Sequence, residues 1–242
     1  MKAATMVAAF LAGAVSGLSS AAYVTPYVGL VHVDERDTDT YYYYLAAVPV
    51  FKYYDAGRRT ETPLLTDDAE RPVLPTEEGA SASRLVAVGH PRTESVAAIC
   101  RAFGVADDDV VTVEGEVPAV AAELAATWTR ARDVVVAPYA HSPDATLAAS
   151  GSYAAALAST LNAPLLFTYT KRLPPETLSA LRRLGAKNLY LVDFGGRCHD
   201  GVRAPLKGDS RKFGRAFERP EEVVSFVEIH LRISRAKAPR PA

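Results

Sequence analysis

Residues 162–196 read NAPLLFTYTKRLPPETLSALRRLGAKNLYLVDFGG. The apolar run APLLFT (163–168) has the length of a strand rather than of a helix. In the segment that follows, Pro175 and Glu176 suit a first helical turn, Arg182 and Arg183 a last one, and Gly185 a stop. These charges complement the helix dipole. NLYLVDF (188–194) is a second strand. A strand, a capped helix and a strand in succession predict parallel sheet covered by helices. The stretch carries no evident nucleophile, metal cluster or phosphate loop.

The same alternation extends in both directions. Strands are expected at 28–33 (VGLVHV), 62–66 (TPLLT), 84–88 (RLVAV), 110–113 (VVTV) and 133–139 (DVVVAPY). Helices are expected over YYYYLAAVPVFKYY (41–54), with Pro49 as a kink or break, and over PRTESVAAICRAFG, with Thr93 as N-cap and Gly104 as stop. Further helices are expected after Pro118, over the Ala-rich segment 144–161, and over ERPEEVVSFVEIHLRI. Residues 67–83 and 197–212 read as loops, and 236–242 as a disordered tail.

The halves match. Pro63 and Pro164 each precede a Leu-Leu pair, Val88 and Val192 each end a strand, and Glu114 and Glu218 each precede a helix. The expected fold is α/β: two tandem strand–helix repeat units, residues 23–132 and 133–235, with mainly parallel sheets flanked by helices.

The chain has 242 residues, 49% of them apolar, and a formal net charge of -1. That supports a sizeable core and excludes a disordered chain, and the near-zero charge argues against nucleic acid as partner. Residues 1–22 have one Lys, then an apolar or small run ending Ser20-Ala21-Ala22, the pattern of a secretory signal peptide. Uncleaved, the run is nearly long enough to span a bilayer, so the alternatives are a secreted and a membrane-tethered protein. In an oxidising compartment Cys100 and Cys198 are candidates for a disulfide; the alternative is two ordinary buried thiols.

The chain has no Gly-rich dinucleotide or phosphate loop and no Gly-x-Ser-x-Gly elbow, and SGSY around Ser152 reads as helix packing. None of His32, His90, His141, His199 and His230 forms a metal-ligand pair by spacing. Cys198-His199-Asp200 is the densest polar triplet, but adjacent residues point in different directions and the expected reading is a surface loop. No catalytic residue, metal or cofactor is expected, and an enzyme is disfavoured. In an open α/β sheet ligands gather beyond the carboxyl ends of the strands. Those ends carry His90, Arg92, His141, Asp144, Tyr169, Lys171, Asp193 and Arg197, with Asp34, Arg36, Asp67 and Asp68 beside them. Such a mixture can bind an anionic or hydroxyl-rich polymer. Tyr41 to Tyr44 can stack on sugar rings, but an aromatic run on a helix is more often core.

The segment from Ser142 to Gly196 resembles the cell wall-binding repeat 2 family. The resemblance rests on Pro143-Asp144-Ala145, Pro164-Leu165-Leu166, Leu173-Pro174, Leu184-Gly185 and Gly195-Gly196, with a weaker copy at Leu74-Pro75 and Gly89. The Gly-x-Asp-Arg-Tyr-x-Thr-Ala segment of that family is replaced here by EGEVPAVAAELA and FERPEEVVSFVE. The resemblance implies a non-catalytic exported module at the cell surface or wall, anchoring or adhesive. Its implied partners are cell wall polymer or surface-layer proteins, with self-association as a blander option. The competing expectation is a solute-binding protein with a ligand cleft between two α/β lobes and a crossing point at Asp133.

Overall fold

The computed structural model of the protein describes residues 24–55, 58–68, 81–207 and 212–237. The leader expected over 1–22 and residues 238–242 of the expected tail lie outside them.

The first unit runs β1 (Val24–Thr25), β2 (Val28–Val33), α1 (Thr38–Phe51), β3 (Lys52–Asp55), β4 (Arg58–Glu61), β5 (Leu64–Asp68), β6 (Ser81–Ala82), β7 (Leu85–Val88), α2 (Thr93–Phe103), β8 (Val110–Val113) and α3 (Val117–Leu124). The second runs β9 (Asp133–Pro138), α4 (Ala145–Leu161), β10 (Leu165–Thr168), α5 (Pro175–Leu184), β11 (Asn188–Val192), α6 (Asp200–Lys207), β12 (Lys212–Phe217) and α7 (Pro220–Lys237). Each unit is built on a four-stranded sheet, in the order β5-β2-β7-β8 and β10-β9-β11-β12. Every pairing in both sheets is parallel. The two orders correspond strand for strand, so β2 matches β9, β5 matches β10, β7 matches β11 and β8 matches β12. The short pairs β1–β6 and β3–β4 are additions to the first unit.

Local chemistry explains the helix boundaries. Asp37 and Asp144 precede α1 and α4, and each accepts from a backbone N–H two residues on, at 3.0 and 2.9 Å. Each such cap stabilises its helix by about 1 kcal/mol. Capping by Asp37 starts α1 three residues before the tyrosine run, and the helix ends at Phe51. Lys52 to Tyr54, expected to continue it, belong instead to β3 and pair with β4. Thr93 is the first residue of α2 rather than its cap; Arg92 holds the cap position without a side-chain bond. Gly104 and Gly185 close α2 and α5 in the left-handed region, at φ 67° and 63°. The segment 197–212, expected as loop, contains α6 and leads into β12, and Ala236 and Lys237 of the expected tail belong to α7.

The two units share one large apolar core. α1 crosses α4, and α3 lies on α5 and β10. At the first crossing Gly151 has no side chain to hold α1 away; a Cβ there would meet Leu45 Cδ1 at 2.9 Å and the Tyr42 ring at 3.3 Å. Ser152 contacts the Tyr41 hydroxyl at 2.5 Å. The SGSY segment is therefore helix packing. Tyr42 meets Tyr139 and Phe167 edge to face, with centroids 5.5 and 5.3 Å apart. Tyr42, Tyr43 and Tyr44 are buried, so most of the tyrosine run is core. The seam between the units is packed with these rings, where the two-lobe alternative expected a cleft.

A second, smaller core lies on the other face of the first sheet, under α2. It contains Val28, Leu30, Leu85, Ile99, Cys100 and Phe103. Cys198 belongs to the large shared core. Both thiols are buried and free. Of the two alternatives, the structure has two ordinary buried thiols, each packed into a different apolar cluster.

Candidate functional site

In a parallel sheet every strand delivers its chain to the same edge, so the loops at the carboxyl ends form a rim. In the second unit Asp193, directly after β11, is fully buried. Its carboxylate accepts from the backbone N–H groups of Arg197 (2.8 Å) and Cys198 (3.0 Å) and from Arg203 Nη2 (2.9 Å). The Arg197 guanidinium turns away and donates to Asp144, the cap of α4, at 3.0 Å. This pair ties the loop after β9 to the loop after β11, the place where crossovers leave the sheet in opposite directions.

The first unit holds a comparable buried carboxylate on another strand. Asp67, near the end of β5, is 0% exposed. It accepts from Arg92 N (2.6 Å), Arg92 Nη2 (2.5 Å) and Ser95 Oγ (2.7 Å). Burial pushes its pKa up, but the bonds from Arg92 and Ser95 outweigh that and hold it below the ordinary carboxylate range. His90 lies outward of this pair, exposed and 3.5 Å from Glu114.

The rims of the two units meet at the seam. His141 Nδ1 lies 2.9 Å from the Asp39 carboxylate of α1, and its Nε2 lies 3.2 Å from the Tyr139 hydroxyl. Tyr169, after β10, donates to Glu116 Oε2 at 2.5 Å, just before α3. The rings of Tyr139 and Tyr169 are 5.2 Å apart, His141 and Tyr169 6.3 Å, and the Arg172 guanidinium sits 4.9 Å over Tyr169. Burial, then the bond to Glu116, raises the Tyr169 pKa, so its hydroxyl stays a donor at neutral pH. The result is a half-exposed aromatic surface edged by Asp39, Glu116, His141 and Arg172. Such a surface suits hydroxyl-rich or charged ligands, which need both a flat face and hydrogen-bonding groups.

Beside it, an open groove of about 490 Å³ is lined by Gly196, Cys198, His199, Asp200, Arg203 and Glu218. The Cys198-His199-Asp200 triplet lies here but does not converge. His199 and Asp200 are exposed, while the Cys198 thiol is buried, and burial and the nearby Asp193 push its pKa up to about 12. A thiol so placed stays protonated and is a poor nucleophile. Among the described residues no group of three His, Cys, Asp or Glu side chains is placed to hold a metal ion.

The expected site residues therefore separate into four groups. Asp193, Asp144 and Arg197 come together in one network, and Arg92 is engaged in its own unit with Asp67. His141 and Tyr169 meet at the seam. His90 and Lys171 are exposed on the rim, His90 3.5 Å from Glu114. Asp39, Glu116, Tyr139, Arg172 and Arg203 belong to the site and were not legible beforehand. Asp39 meets His141 across 102 positions of sequence, and Tyr169 meets Glu116 across 53. The only signal that could have found them is the duplication itself, which predicts that equivalent rims lie side by side.

No protein-family model matches the chain, and no curated protein matches it. Among solved structures it is similar to Cwp8 from Clostridium difficile, with a TM-score of 0.58 and 18% sequence identity. The likeness covers 84% of this chain and 33% of that one, so the chain spans about a third of the protein it matches. It is a likeness of fold.

Proposed function

We propose that the protein is a non-catalytic module of the cell envelope that associates with wall polymer or surface-layer material through the rim at the seam. The observation that carries this reading is the likeness of fold over 84% of the chain to Cwp8 from Clostridium difficile, taken with the resemblance of residues 142–196 to cell wall-binding repeats. Three further observations support it. Residues 1–22 have the pattern of an export signal. The seam offers an open face of Tyr169, His141 and Arg172 rather than an enclosed pocket. The titratable groups nearby are committed to structural pairs, Asp193 with Arg203 and Asp144 with Arg197.

The test is retention of the purified protein on isolated cell envelopes through a high-salt wash, with released wall polysaccharide as competitor. Retention is expected, free polysaccharide should abolish it, and Tyr169→Ala with Arg172→Ala should weaken it at least severalfold while leaving the fold intact. A protein that stays in the supernatant would sink the proposal.

A further inference from the structure

The edge of the second sheet opposite the rim carries a group of cations. The segment before β9 holds Arg130 and Arg132, the last turn of α5 holds Arg182 and Arg183, and the turn before β11 holds Lys187. Backbone hydrogen bonds bring these segments together. Ala131 N donates to the Leu184 carbonyl at 3.1 Å, and Lys187 N and Asn188 N both donate to the Arg132 carbonyl at 2.9 Å. All five side chains are exposed. Arg183 donates to the Ala122 carbonyl at 3.1 Å, but none of the five forms an ion pair among the described residues. Asp133 and Glu123 are the acids beside them. Asp133 is half-buried and accepts from Asn188 Nδ2 at 2.7 Å. At the rim, in contrast, Arg92, Arg197 and Arg203 are each held by a carboxylate.

Helix chemistry accounts for only part of this patch. Arg182 and Arg183 complement the dipole at the end of α5. Arg130, Arg132 and Lys187 lie outside the helices, where no dipole favours them. The repeat does not require them either. The counterpart segments before β2 and β7 read Pro26-Tyr27 and Ser83-Arg84, one cation in place of three. Exposed cations without anions set up a local positive field, even on a chain with a net charge of -1. The described ends lie on the same side: β1 leads into the amino end of β2, and α7 runs back from the carboxyl end of β12. Residues 1–22, with the pattern of an export signal or of a membrane-spanning run, join the described chain there.

We propose that Arg130, Arg132, Arg182, Arg183 and Lys187 form a contact surface for anionic phospholipid headgroups. Guanidinium groups pair with phosphate through two parallel hydrogen bonds. Each cation near an anionic bilayer adds roughly fivefold to binding. The surface lies on the edge opposite the seam, so it does not depend on polymer binding there. The purified full chain is sedimented with vesicles of phosphatidylglycerol and phosphatidylcholine in equal parts, and with vesicles of phosphatidylcholine alone. It should bind the first more strongly, and added salt should remove the difference. Arg130→Gln with Arg182→Gln and Lys187→Gln removes three exposed charges that make no side-chain contact among the described residues, so the variant should melt as the wild type does. Its binding to the charged vesicles should fall on the order of a hundredfold, limited only by whatever binding phosphatidylcholine alone supports. Residues 1–22 can enter either bilayer, so binding to phosphatidylcholine alone should be the same in variant and wild type. Tyr169→Ala with Arg172→Ala, which alters the seam, should bind the charged vesicles as the wild type does. Equal binding to the two kinds of vesicle, or undiminished binding by the charge variant, would overturn the proposal. So would capture by soluble polyphosphate without retention on charged vesicles.

Discussion

Asp67 and Asp193 show how single residues divide between structure and surface. Each carboxylate is fully buried and each is held by an arginine that reaches the rim, Arg92 at 35% side-chain exposure and Arg203 at 26%. Removing the cation leaves a buried charge with backbone and hydroxyl donors only. Arg92→Ala is expected to lower stability, by less than the loss of one partner of a fully buried pair because Arg92 is partly in water. Urea unfolding at neutral pH measures it. The Asp67 pKa is depressed on folding, so its contribution is complete above the unfolded carboxylate range and is lost as pH falls through the folded value. The same variant should therefore flatten the acid side of the stability profile. The cysteines give a second prediction at this scale. Cys100 and Cys198 are buried and free, so a reducing agent should leave the melting temperature unchanged, and neither thiol should react with a maleimide until the protein unfolds.

Among the elements, the α1–α4 crossing is the most sensitive. Gly151→Val would put two methyl groups into a space where even one Cβ meets Leu45 at 2.9 Å. Overpacking of this kind is expected to destabilise by about 1–3 kcal/mol, read as a fall in melting temperature. Most elements were legible because their apolar positions follow a clear period: α2 and α5 carry one buried stripe, and β9 is apolar along nearly its whole length. α6 and β12 were not. α6 buries only Val202 and Leu206, a single i, i+4 pair, and contains Pro205. β12, Lys-Phe-Gly-Arg-Ala-Phe, is an edge strand with two cations and a glycine, so neither period stands out. Their place follows from the repeat instead, since they correspond to α2 and β8.

At the scale of the whole molecule, the shared core makes the two units one folding body. Trp128, the single tryptophan, is packed against that core between α3 and β9. Its fluorescence and the far-UV circular dichroism should therefore report one coincident unfolding transition in urea. Two separated transitions would show that the units unfold independently. The α/β class and the parallel sheets could be read from the alternation of strands and helices. The seam could not, because Asp39, Glu116, His141 and Tyr169 have no local pattern and are joined only by packing of one unit on the other. The position rule for open sheets pointed to the rim as a region, but it could not tell a buried structural ion pair from a surface group.

The contacts Asp39–His141 and Glu116–Tyr169 join loops from the carboxyl ends of both sheets, so the two rims lie on one side of the molecule. The protein therefore has a front and a back. The described chain enters at the amino edge, through β1 into β2, and α7 leaves the front and runs back towards that same edge. The described ends, Val24 and Lys237, therefore both lie at the rear. A tether there would aim the aromatic surface away from its own point of attachment, so the direction the protein faces is set by strand polarity and not by the length of the connecting segment.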